Sequence, residues 1–104
     1  MVDRVLSMIG IAAKAGKIAS GEFSTEKAVK TGTAYLVITA EEASDNTKKK
    51  FKNMSDFYEV PYFEYQTKEN LGRAIGKEFR ASLAITDANL AKAIEKKLLE
   101  CKTE

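Results

Sequence analysis

The run Ala34-Tyr35-Leu36-Val37-Ile38-Thr39 constrains the fold more than any other segment. It is apolar, aromatic or β-branched at successive positions, where a half-exposed strand would alternate. Such a strand is buried on both faces, so it predicts a central strand with helices on each side. The rest of the chain supplies those helices. Val2, Val5, Leu6, Ile9, Ala12 and Ala13 recur at helical spacing, and Gly16 stops the run. A short extended piece is expected at 17–19. A second helix is expected over 24–31, resting on Ala28 and Val29 and closed by Gly32 in left-handed backbone. A third, over about 45–58, takes Ser44 or Asp45 as its cap and turns Phe51, Met54 and Phe57 or Tyr58 inward. A strand over 61–65 follows. A short helix begins at the N-cap Thr67 and aligns Leu71 with Ile75 on one face. A strand over 82–86 leads to a last helix capped by Asp87. That helix turns Leu90, Ala93, Ile94 and Leu98 inward, and Lys92, Lys96, Lys97 and Lys102 outward.

Strict alternation of helix and strand predicts an α/β fold. The expected form is a three-layer α-β-α sandwich of about four strands with helices on both faces. At 104 residues the chain makes one domain, spanning 1–104. A hydrophobic fraction of 44% is enough to build a core without disulfides or a structural metal. No repeat, linker or low-complexity block interrupts it.

Composition excludes several chemistries. There is no His, which removes His-based proton relays, nucleophile–His pairs and His-ligated metals. The single Cys, Cys101, allows neither a disulfide framework nor a Cys cluster for zinc or iron–sulfur, and reads as an ordinary thiol. Glu41-Glu42 follows the central strand at the end where open α/β sheets usually bind ligands. Paired carboxylates there could hold a hard cation or do acid–base work. The plainer reading is that acidic residues favour a helix N-terminus. Gly72-Arg73-Ala74-Ile75-Gly76 lacks the pattern of a phosphate loop, and its small-residue spacing suits close packing. We therefore expect no catalytic residues, no metal site and no cofactor. No stretch nears the ~18 apolar residues of a membrane span, and the N-terminus lacks a signal-peptide layout. The expectation is a cytoplasmic, monomeric protein.

Seventeen basic residues against fifteen acidic ones leave a formal charge of +2. From charge alone, Lys14, Lys17, Lys27, Lys30, Lys77 and Arg80 read as solvated surface, because periodicity does not bring them together. The run Lys48-Lys49-Lys50 with Lys52 reads as an exposed helix face, with Phe51 pointing inward.

Taken in order, several blocks carry more. They are Leu6-Ser7-Met8-Ile9-Gly10-Ile11-Ala12-Ala13-Lys14-Ala15-Gly16-Lys17, Ser20-Gly21, Lys27-Ala28-Val29-Lys30-Thr31-Gly32, Ala34 through Ala43, Val60-Pro61-Tyr62, and Leu71 through Gly76. Together they resemble the kink-turn-binding ribosomal protein superfamily, the archaeal seven-Ae and eukaryotic thirty-e type. They are most similar to its small bacterial, YlxQ-like members. The resemblance implies an α-β-α sandwich that binds RNA through one end, without enzymatic activity. Carried over by position, it implies one RNA-binding region at Gly21, Glu22, Phe23, Ser24 and Lys27, and a second at Gly76, Lys77 and Arg80. Lys17 and Lys30 complete the basic set. The implied partner is rRNA or another structured RNA, with association to the ribosome. The alternative is a protein-interaction module of the same fold that has lost kink-turn binding. A small nucleotide- or metal-dependent enzyme using Glu41 and Glu42 is a weaker rival.

The chain departs from the family at one point. The family's kink-turn binders carry an Asn-Glu pair just after the glycine of the first region, where it reads the paired purines at the kink. Here those positions hold Phe23 and Ser24. An apolar residue at such a helix start is expected to pack beneath the loop as a staple. The competing role is stacking on an unpaired base.

Overall fold

The computed structural model describes residues 3–102, with the backbone alone at Lys102. The expectations for Val2 and for the Lys102 side chain lie outside the described residues. The elements are α1 (Arg4–Lys14), β1 (Ile18–Ser20), α2 (Glu22–Lys30), β2 (Leu36–Thr39), α3 (Asp45–Phe57), β3 (Tyr62–Glu64), α4 (Lys68–Ala74), β4 (Ser82–Ile85) and α5 (Ala88–Lys102). All four β2 residues are buried. Leu36 and Ile38 join a core with Val5 and Ile9 of α1, Leu71 of α4, and Ile94 and Leu98 of α5. Val37 points the other way, into a smaller core with Ala28 and Val29 of α2 and Phe51 of α3. Successive side chains of a strand face opposite sides, so the unbroken apolar run fills two cores at once. β4 repeats the arrangement, with Leu83 and Ile85 in the first core and Ala84 in the second. The fold is the expected α-β-α sandwich, with α1, α4 and α5 on one face and α2 and α3 on the other.

The sheet order is β1-β4-β2-β3. Only β2 and β3 run parallel, and β4 is antiparallel to both β1 and β2. The reason lies in the connection before β4. The seven-residue α4 and the loop after it return the chain to the end of the sheet where β3 finished. An Arg80 amide donates to the Lys68 carbonyl at the start of α4 (3.0 Å), which closes that excursion. Gly72 makes it possible, because a Cβ there would lie 2.5 Å from the Glu78 carbonyl oxygen.

The expected caps form. Asp3, Ser44, Thr67 and Asp87 accept the amides of Leu6, Thr47, Asn70 and Leu90 at 3.0, 3.1, 3.0 and 2.9 Å. Three expectations are corrected. α2 begins at Glu22 and not at Ser24, because Gly21 takes the N-cap position. Phe57 and Tyr58 do not turn inward. Both are exposed and meet edge to face at 5.0 Å, and the small Ser55 fills the buried position of α3. Ala93 is exposed and Ala91 is buried in its stead, a shift of the inward stripe of α5 by two positions.

Candidate RNA-facing pole

The C-terminal ends of β1, β2 and β3 and the N-terminal end of β4 meet at one pole of the sandwich. Here Gly21 adopts φ +89° and ψ 163°, a region open essentially to glycine alone. Its amide donates to the Ser82 carbonyl at 2.9 Å, which ties the β1–α2 junction to the start of β4. Gly21 offers no side chain, so α2 has no side-chain cap. The first amides of the helix are left for an incoming anion. On the β4 side, Arg80 is held by three bonds. Besides its amide, Nε donates to Ser20 Oγ at 3.3 Å and a terminal guanidinium nitrogen donates to the Phe79 carbonyl at 2.7 Å. Among the described residues Arg80 has no carboxylate partner, so its charge is not neutralised.

The sequence-predicted residues therefore divide. Gly21, Glu22, Phe23 and Ser24 share this pole with Gly76, Lys77 and Arg80. Lys27 is exposed on α2, five residues into the helix and about 7–8 Å from its start. Lys17 and Lys30 are at the opposite pole. The Lys17 carbonyl accepts from Thr86, beyond the far end of β4, and Lys30 ends α2, about 12 Å from its start. Glu22 is turned toward α3, where Lys50 Nζ reaches it at 3.4 Å and Glu26 at 2.6 Å. Lys30 completes that network at 2.7 Å from Glu26. Hydrogen bonds from Lys30 and Lys50 hold the Glu26 carboxyl down at about 2. Lys50, Lys48 and Lys52 are thus engaged with carboxylates, and the lysine run is the solvated helix face expected, with Phe51 fully buried.

Phe23 is not a staple. It is 79% exposed, and Phe79 across the junction is 60% exposed. Phe79 belongs to the predicted second region, but its periodicity gave no hint of exposure. Only its place in a loop drawn tight over Gly72 turns it outward.

Glu41 and Glu42 also sit at this pole, with a different task. Glu41 Oε2 accepts the Gln66 amide at 3.2 Å, and Glu42 Oε1 accepts the Lys68 amide at 2.8 Å. Gln66 holds a positive φ of 63°, and the carboxylates pin that turn and the first amide of α4. The helix they serve is α4, not the α3 that follows them in sequence. Among the described residues, no group of three or more carboxylates and Cys is placed to hold a metal ion. Asp3 ties the same corner together, accepting from Tyr65 Oη at 2.9 Å and Gln66 Nε2 at 2.6 Å. Burial and the Asp3 carboxylate raise the Tyr65 phenol well above its ordinary range. Cys101 is exposed.

The family model for ribosomal protein L7Ae/L30e/S12e/Gadd45 matches residues 3–95. The chain belongs to that family. It is 40% identical to the RNA-binding protein YlxQ of Bacillus subtilis (strain 168) over 84 residues, covering 81% of this chain and 84% of that protein. It is 39% identical to the RNA-binding protein YlxQ of Enterococcus faecium over 98 residues, covering 94% and 93%. A solved structure from Bacillus halodurans, of a protein with unknown function, matches with a TM-score of 0.89 at 34% identity, covering 91% of this chain and 96% of that one. The Giardia lamblia 15.5 kD RNA binding protein matches with a TM-score of 0.79 over 99% of this chain and 92% of its own. At 22% identity, that likeness speaks for the fold alone.

Proposed function

We propose that this protein binds structured RNA, rRNA foremost, and docks on a bent or looped segment through the pole that joins Gly21 to Arg80. The observation that carries the reading is the convergence of two distant segments. An uncapped helix start and a guanidinium without a carboxylate partner meet through the Gly21–Ser82 and Arg80–Ser20 bonds. Phosphate oxygens suit both groups: backbone amides accept them without regard to sequence, and Arg binds them with a fork of donors. Lys27 and Lys77 add charge beside these groups, and Gly21 allows the RNA backbone to approach closely. Family membership and the names of the bacterial relatives support RNA as the partner. The role is docking rather than catalysis, since Glu41 and Glu42 are occupied with backbone amides. No helix among the described residues is long and apolar enough to cross a membrane, which is compatible with a cytoplasmic protein that meets the ribosome.

A gel shift at moderate salt tests the proposal. The unmodified protein is expected to retard a looped rRNA fragment, and Arg80→Ala to weaken that complex about tenfold or more, as for a lost charge-assisted contact. Equal affinity of the two proteins would refute the assignment of this pole.

A further inference from the structure

Two large apolar side chains stand in solvent at the same pole. Phe23 occupies the second position of α2 and is 79% exposed, and Phe79 immediately precedes Arg80 and is 60% exposed. Neither is there to stabilise the core, since little of either is covered. Both are mounted on fixed backbone. Phe23 rides on a helix whose start is tied to β4 by the Gly21 amide. Phe79 is anchored on both sides. Its amide nitrogen would lie 2.9 Å from a Cβ on Gly72, its carbonyl accepts the Arg80 guanidinium at 2.7 Å, and the Arg80 amide is bonded to Lys68. Between the two rings lie the Ser20–Arg80 bond and the Gly21 junction.

Rigid aromatic rings beside a cationic group form the arrangement on which unpaired bases stack while their phosphates meet the charge. A paired duplex keeps its bases stacked on one another and offers no free face. We infer that Phe23 and Phe79 are stacking platforms for unpaired bases, so that the protein selects RNA carrying a bulge or internal loop over continuous duplex. This deepens the RNA-binding reading and rests on it. The platforms read a π-face, not a pattern of donors and acceptors, so the selection is for unpaired structure and only weakly for sequence. The far pole supplies an internal control. Phe57 is as exposed as Phe23, but it sits at the end of α3, packed edge to face with Tyr58 and away from Gly21 and Arg80.

The experiment measures affinity, and its salt dependence, for two RNA probes: a stem-loop with a three-nucleotide purine bulge and its fully paired counterpart. The unmodified protein is expected to prefer the bulged RNA. Phe23→Ala and Phe79→Ala should each weaken the bulged complex by roughly 5- to 100-fold, with the paired complex and the salt slope unchanged. Arg80→Ala should weaken both complexes and shallow the slope. Melting temperatures of the Phe variants should match the parent, because the rings are exposed. Phe57→Ala should have no effect on either probe. If Phe23→Ala and Phe79→Ala bind as the parent does while Arg80→Ala does not, the platforms are wrong and the RNA reading stands. Equal loss in Phe57→Ala also overturns the platforms. If no variant differs because neither probe is bound, the RNA reading falls and takes the platforms with it.

Discussion

Gly72 shows how much of the candidate site hangs on one missing methyl group. It is buried in α4, and the backbone of Glu78 and Phe79 passes over it closer than a Cβ would permit. Gly72→Ala cannot be absorbed by a flexible side chain, since the obstacles are a carbonyl and an amide. Overpacking of this kind costs about 1–3 kcal/mol. The expected outcome is a lower melting temperature, together with weaker RNA binding as the loop carrying Lys77, Phe79 and Arg80 lifts. A variant that keeps the parent's stability would show that the loop relaxes freely. Phe23 and Ser24 stand where the family's kink-turn binders place an Asn-Glu pair, and neither can replace polar readout. Well-oriented polar pairs discriminate by ~1–3 kcal/mol in base recognition. Phe23→Asn with Ser24→Glu should therefore raise the preference for a kink-turn over a simple bulge. Both positions are exposed, so the melting temperature should hold. Tight kink-turn selection by the unmodified chain would contradict this.

At the scale of elements, α2 and α3 are tethered side by side through Lys50, Glu22, Glu26 and Lys30. The hydrogen bonds of Lys30 and Lys50 hold the Glu26 carboxyl at about 2 in the folded chain, against 4.5 in the unfolded one. A lowered folded value favours the folded state above the unfolded pKa. That contribution is present above pH 4.5 and is lost as pH falls toward 2. Glu26→Gln should flatten this part of the stability-against-pH curve, as followed by thermal melting between pH 6 and pH 2. The effect is small because the pair is open to solvent and screened by salt. An unchanged curve would show that the tether contributes nothing. The tether also turns Glu22 toward α3, which keeps a carboxylate from facing the helix start where phosphate is expected.

For the whole molecule, the sandwich separates charge by pole. Lys27, Lys77 and Arg80 stand on or beside the pole of Gly21, whereas Lys17 and Lys30 stand at the other. If ~3–4 phosphates are met, log affinity should fall with log salt at a slope of about −2 to −4. Lys27→Ala and Arg80→Ala should shallow that slope. Lys17→Ala and Lys96→Ala, the latter on the outer face of α5, should leave it alone. Equal losses at all four positions would mean diffuse attraction and no local site.

The layers of this fold were legible in the chain. A run such as Leu36-Val37-Ile38-Thr39 can be buried throughout only between two helical layers, and capping residues such as Ser44, Thr67 and Asp87 mark helix starts through bonds three residues away. These are local rules, and local spacing carries them. The direction of β4 was not legible, because it depends on whether a short helix and loop cross the sheet or return to the same end. Nor was the outward turn of Phe23, Phe79 and Phe57, since a Phe next to other apolar residues looks alike buried or exposed. The work of Glu41 and Glu42 on α4 spans 25 and 26 residues, and the Arg80–Ser20 bond spans 60. The sequence by itself determined which faces are apolar and where helices begin. Only the tertiary structure decided which charges and rings share a pole, because that depends on strand order and loop closure, which no local pattern encodes.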